Sequence, residues 1–320
     1  MVSDEKRGAQ SYKEFWEGIG DTYESAIAMM DGSPDDRVLN LTGRYMADKI
    51  AQALFIHQRD CVFELGCGVG RIGLFISQRC SQWRGFDISE TMIRHARTRL
   101  KAFENVQFQA LERTELTGVS GDCFDKGYSH AVFIHMDKED LYLYLREAFR
   151  VLKPGGLFYF DTWNLQNEVG WERWLWEVES WEQSDQKGRK HVSRNQFCVP
   201  QEVKIYIEKA GFAEVFCLGE SFWIQSLMIK PDGPSIRDRV ASLREQIGPH
   251  LKKIAVPPTL TLLFKHHLKL AKGQMAAKEF HDLLEQMPED EEVLLYRNWL
   301  RLVWEHKTNE WGPYPGERLG

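Results

Sequence analysis

The rhythm of apolar positions changes several times along the chain. Over 11–30 they recur three and four apart, at Tyr12, Phe15, Trp16, Ile19 and Tyr23. That spacing predicts a helix, broken at Asp31-Gly32-Ser33-Pro34. A second helix is expected over 36–57, carrying Leu39, Tyr45, Met46, Ile50 and Leu54. From 61 onward, short apolar runs alternate with helical patterns. Strands are expected at 61–66, 83–88, 106–111, within 124–134 and at 157–163. Helices are expected at 71–80, at 89–103 with Ser89 as its cap, and at 140–152. The last of these is stopped by Lys153-Pro154-Gly155-Gly156. This alternation predicts an α/β fold, a mostly parallel sheet covered on both faces. Residues 166–182 then read as an amphipathic helix with Trp171, Trp174, Leu175, Val178 and Trp181 on one face. A helix from Val199-Pro200 to Gly211 and strands at 212–218 and 222–230 bring the strand count to seven. Beyond Lys230-Pro231-Asp232-Gly233-Pro234 the pattern is helical throughout, interrupted at Gly248-Pro249 and Pro257-Pro258. Three parts are expected: a helical segment at 1–35, a sheet domain at 36–230 with an aromatic insertion at 163–198, and a helical extension at 231–320.

Composition narrows the class. Across 320 residues, 41 Lys and Arg face 47 Asp and Glu, with the two signs interspersed. No basic stripe appears, which argues against a dedicated nucleic-acid binder. No apolar run approaches the roughly 18 residues that span a bilayer. The first ten residues are polar and lack a signal-peptide core, so a cytosolic protein is expected. The six cysteines are scattered with no CxxC pair, so neither zinc nor a disulfide framework is indicated. Tryptophan is abundant at eleven, and five lie between Trp163 and Trp181.

The candidate chemistry centres on Glu64-Leu65-Gly66-Cys67-Gly68-Val69-Gly70, which ends the first strand. Glycines there let the chain turn sharply and let a ligand approach the backbone. Three readings are open. The turn could be purely structural. Gly68 to Gly73 could be a GxGxxG dinucleotide fingerprint. Alternatively, Glu64 just ahead of the glycines could meet a cationic amino group, where a pyrophosphate would be repelled. Asp87 closes the second strand, in the place of a carboxylate that accepts ribose hydroxyls.

With Leu152-Lys153-Pro154-Gly155-Gly156 ahead of the fifth strand, the set resembles the class I S-adenosylmethionine-dependent methyltransferases of the small-molecule type. Those carry an acidic residue and three spaced glycines, an acidic second-strand end and this turn in the same order. The similarity covers roughly 36–230. It implies a Rossmann-like, seven-stranded sheet and S-adenosyl-L-methionine as cofactor, with S-adenosyl-L-homocysteine as product. It further implies that Glu64, Gly66, Gly68 and Gly70 hold the methionyl part, that Asp87 binds ribose and that Ile88 packs on adenine. Leu111 and Glu112 fall at the adenine edge, where many relatives place Asp. Ser129 and His130 fall where the fourth strand meets the methyl-transfer pocket. The N-terminal helix with Tyr12, Trp16 and Tyr23 resembles a lid over the cofactor. His135 lies in a segment often seen in relatives and is assigned to the substrate, or else to packing.

A sulfonium cofactor is already activated, so the protein mainly aligns the acceptor. A base is needed only when the acceptor keeps its proton at neutral pH. His130 and His191 are the candidates, with hydrogen-bonded structural histidines as the alternative. Asp161, at the end of the fifth strand, could orient an acceptor amine or hydroxyl, or cap a turn. Trp163 and Trp171 are expected to wall the acceptor pocket, although an apolar helical stripe also suits a core. No metal-ligand spacing or GxSxG elbow is present. In the extension, 259–272 could lie on a membrane surface or pack on another helix, and Ala276, Phe280, Leu283 and Pro288 fit half of a helix-turn-helix repeat. The extension could cap the domain, form a homodimer or dock a partner. The expected activity is methyl transfer to an O or N atom of a small-molecule metabolite or natural product. A nicotinamide-dependent oxidoreductase and a non-catalytic protein acting through its tail are the alternatives.

Overall fold

A computed structural model describes residues 12–183, 192 and 194–315. His191, a candidate base, lies outside the described residues.

The sheet runs in the order β3-β2-β1-β4-β5-β8-β7. Its strands are β1 (Cys61–Leu65), β2 (Gln82–Asp87), β3 (Val106–Ala110), β4 (Phe124–Ser129), β5 (Leu152–Asn164), β7 (Ala213–Leu218) and β8 (Trp223–Ile229). The first five pair in parallel, and β8 is antiparallel to both β5 and β7. An eighth strand, β6 (Phe197–Cys198), comes from the aromatic insertion and pairs with the end of β5. The Lys153-Pro154-Gly155-Gly156 segment is not a free turn. It forms an irregularity at the head of β5, with Gly155 at φ 80°, where pairing with β4 jumps from Leu152 to Leu157.

Alternation along the strands divides the core. Val62, Tyr128, Leu157, Tyr159 and Leu227 face helices α3 (Asp36–Leu54), α4 (Gly73–Ile76), α5 (Glu90–Arg99) and α9 (Ile236–Ile247). Phe63, Leu65, Phe158, Phe160 and Met228 face α6 (Lys138–Val151) and α8 (Pro200–Lys209). Ser89 caps α5 by accepting from the Met92 N–H at 3.1 Å. Two expected helices are shorter or split. The 71–80 pattern yields only the single turn of α4 and a 3-10 turn at Ser77–Arg79. The N-terminal pattern divides into α1 (Tyr12–Ile19) and α2 (Tyr23–Asp31). Gly20 turns the chain tightly against Thr91, with room for no β-carbon, and Thr22 then caps α2.

The C-terminal extension is built into the molecule. After α10 (Leu251–Ile254), helices α11 (Pro258–Ala271), α12 (Ala277–Gln286) and α13 (Glu291–Trp311) share a core with Val38 of α3. The Tyr45 hydroxyl donates to Glu292 at 2.7 Å, and Lys49 donates to the Lys253 carbonyl at 2.8 Å. Gln225 of β8 bonds both the Ile254 carbonyl and the Val256 N–H. The 259–272 segment is α11, packed on α12, α13 and α7 (Glu168–Trp181). Among the described residues no helix is long and apolar enough to cross a membrane.

Candidate active site

A cavity of about 670 Å³ opens at the C-terminal ends of the parallel strands, reaching from the glycine turn to the aromatic insertion. Parallel sheets carry their ligands at this edge.

On one side lie Glu64, Gly66, Gly68, Asp87, Ile88 and Leu111. Gly66 and Gly68 have φ of 73° and 50°, which glycine adopts without strain. A β-carbon on Gly66 would strike Val132, and one on Gly68 would strike Met30 of α2. Glu64 is buried and accepts from the Tyr128 hydroxyl at 2.7 Å, which in turn accepts from the Trp83 indole N–H at 3.1 Å. Burial pushes its pKa up to about 8. Asp87 accepts from the N–H groups of Gly68 (2.7 Å) and Ser89 (3.0 Å), tying the β2 end to the glycine turn. Burial raises its pKa as well. A carboxylate has about four acceptor sites, which leaves capacity for a hydroxyl. Thr114 and Asp140, bonded at 2.8 Å, line this side together with Arg71, Ile72, Met92 and Tyr144, and carry no local sequence signal.

Several expected cofactor contacts turn away from the cavity. Gly70 packs instead against Leu100 and Ala96 of α5. Glu112 is 79% exposed and pairs with Lys13 of α1 at 2.8 Å, because the chain leaves the sheet edge at Leu111. Ser129 is buried and donates to the Leu65 carbonyl at 3.0 Å, stitching β4 to β1. Tyr23 donates to Asp36 at 2.6 Å and accepts from Arg99 at 2.8 Å, since the break at Gly20 rotates α2 away from α1. Tyr12 and Trp16 do line the cavity. Glu17 holds α1 closed by accepting from the Glu90 and Thr91 N–H groups at 2.7 and 3.0 Å.

Between the two sides sits His130. Its Nδ1 lies 2.5 Å from one Asp161 oxygen, and the Ala131 N–H donates to the other at 2.8 Å. Ala131 adopts φ 57°, a left-handed conformation unusual for alanine, and this turn brings both groups onto one carboxylate. His130 lines the cavity. Asp161 is 2% exposed and sits behind the ring, so it positions His130 and is not itself available to orient an acceptor.

The far side is aromatic. Trp163 stacks on Trp223 at 4.5 Å, their ladder partner across β5 and β8. Phe264 of α11 stacks on Phe222 at 4.3 Å and reaches the same wall. From α7 come Arg173, Trp176, Glu177, Ser180 and Trp181. Trp171 is not among them: it is 46% exposed and stacks on Trp174 at 4.8 Å. The cause is Gly170, whose α-carbon approaches the Asn164 carbonyl so closely that a β-carbon would overlap it. That contact fixes the rotation of α7 and turns Trp171 about 100° from the inner face. His135, in a 3-10 turn, lies edge-on to Trp16 at 4.9 Å, and burial holds its pKa down to about 4.

Buried acidic groups beside flexible glycines suit a ligand carrying ammonium and sulfonium charge. They do not suit a pyrophosphate, and α4 is a single turn with no extended N-terminus to cradle one. The strand order, the glycine turn with Glu64 and the Asp87 strand end are those of the Rossmann-like fold of class I methyltransferases. Residues 62–156 match the family described as a methyltransferase domain. The chain is similar to methyltransferase GfsG of Streptomyces halstedii, 25% identical over 162 residues, 45% of this chain and 57% of that protein. It is similar to the malonyl-(acyl-carrier protein) O-methyltransferase of Salmonella typhimurium, 30% identical over 141 residues, 44% of this chain and 48% of that protein. The chain thus spans about half the length of these curated relatives. Among solved structures it aligns with N-methyltransferase NodS of Bradyrhizobium japonicum, held with S-adenosylhomocysteine. That alignment has a TM-score of 0.48 and 14% identity, covering 68% of this chain and 98% of that one.

Proposed function

We propose that the chain methylates an O or N atom of a small-molecule metabolite, with S-adenosylmethionine bound along the glycine turn and His130 serving the acceptor. The observation that carries this is the single cavity shared by Glu64, Asp87 and His130. Bound there, S-adenosylmethionine supplies an activated methyl group and leaves as S-adenosylhomocysteine. Glu64, in its ionised form, faces the ammonium group. Asp87 takes the ribose hydroxyls, and Ile88 and Leu111 flank adenine. Asp161 fixes the Nδ1 proton of His130, so Nε2 is the nitrogen left to take a proton from an acceptor hydroxyl or ammonium. The same carboxylate then stabilises the imidazolium. Tyr12 and Trp16 exclude water from this chemistry.

The aromatic wall and the chain's negative balance support a small, largely apolar acceptor rather than a nucleic acid. The test is a calorimetric titration with S-adenosylhomocysteine and, separately, NAD(H). The reading expects saturable binding of the first and none of the second. Binding of NAD(H) alone would overturn it.

A further inference from the structure

We propose that the acceptor is a flat aromatic molecule bearing an anionic group, a carboxylate in its simplest form, held between Arg173 and His135. Its ring would lie among Trp163, Trp176 and Phe264. This rests on the methyl-transfer reading above and assigns the substrate class of the same cavity.

The first observation is an unmet polar atom. His135 Nδ1 is buried with no hydrogen-bond partner among the described residues, yet the residue lines the cavity. Such an atom is destabilising until something bonds it. The second is a guanidinium on this side of the cavity. Arg173 pairs with Glu177 at 2.7 Å, and Arg194 Nε approaches the same carboxylate at 3.9 Å. Asn195 donates to it at 2.6 Å. Arg173 lies over Trp176, 4.9 Å from the ring centre, and lines the cavity, with guanidinium donors beyond the one that meets Glu177.

His135 stays neutral at physiological pH, since burial and the neighbouring Arg173 both hold its pKa down. A neutral imidazole offers an N–H without adding charge. One anion therefore satisfies both groups: the fork of Arg173 matches a carboxylate, and the imidazole N–H supplies a further donor. With its anionic end at α7, the acceptor would turn its reacting atom toward His130, which lines the same cavity.

The test uses the full chain saturated with S-adenosylhomocysteine and two probes of equal shape, 2-naphthoate and 2-naphthamide, followed by tryptophan fluorescence. The acid is expected to bind at least about tenfold more tightly than the amide. Arg173→Gln should bring the two affinities together while S-adenosylhomocysteine affinity stays at the wild-type value. Arg173→Lys, which keeps the charge on Glu177 but loses the planar fork, should fall between. Equal affinity for acid and amide in the wild type, or no binding of either, would overturn the inference. Loss of S-adenosylhomocysteine binding by the wild type would instead overturn the methyl-transfer reading on which it rests.

Discussion

The two sides of the cavity are made in different ways. The side we assign to the cofactor comes from three strand ends, β1, β2 and β3, and its key groups lie close in sequence or at fixed strand positions. The acceptor side comes from β5, β8, α7, α11 and a 3-10 turn, spread from Ile134 to Phe264. One side is a backbone device in which glycines and two carboxylates leave little freedom. The other is a packing device, in which helix rotation decides which side chains arrive. The first is readable as a motif; the second exists only once the chain is folded.

That contrast can be broken by substitution. The largest effect is expected at the junction. His130→Ala should lower kcat by about 10²–10⁴-fold for an acceptor that must lose a proton, with S-adenosylhomocysteine affinity unchanged. An equal loss of cofactor affinity would show the two sides to be one coupled unit.

Next comes the pH response of the cofactor side. The Glu64 pKa is raised from 4.5 to about 8, so the folded protein without cofactor holds this proton between those values. Its contribution to stability is full below pH 4.5 and is lost as pH rises through 8. A cationic ligand favours the ionised form, so binding should release a proton below pH 8, and affinity should climb by up to about tenfold per pH unit toward that value. Calorimetry in buffers of different ionisation enthalpy measures the released proton. Glu64→Gln should abolish the release and flatten the decline in stability.

Smaller effects belong to the acceptor side. Phe264→Ala removes the stack on Phe222 and should cost about 2 kcal/mol in thermal or denaturant unfolding. It should raise the acceptor KM and leave cofactor binding alone. The smallest is Trp171→Gln, which should shift stability by less than about 0.5 kcal/mol and leave both ligands untouched. An acceptor KM that rises as much for this variant as for Phe264→Ala would return Trp171 to the pocket wall.

The same contrast explains what could be read from the sequence. The strand alternation, Glu64, the Gly66 and Gly68 positions and the Asp87 strand end follow from local pattern, because strand ends and glycine turns are set by near neighbours. Ser129, Tyr23 and Gly70 are correct in element but wrong in direction: each spends its polar group or its bare backbone on a neighbouring element. Trp171 fails for a sharper reason. Helical spacing groups Trp171 with Trp174 and Trp181, but the contact of Gly170 with Asn164 chooses the face one residue over. The position of Asp161 at the end of β5 is legible in the sequence, but its contact behind His130 is not, because it requires the Ala131 turn. Nothing local marks Phe264, which reaches the cavity from a helix about a hundred residues downstream of β5.

The central claim is that the cofactor side binds on its own, through Asp87 and Glu64. It is tested most directly by titrating S-adenosylhomocysteine into the wild type and into Asp87→Asn, whose fold is checked by circular dichroism. A loss of affinity of about 1–3 kcal/mol in the variant is predicted, in keeping with lost hydrogen bonds to a charged acceptor. Wild-type affinity in a folded Asp87→Asn protein would contradict the account.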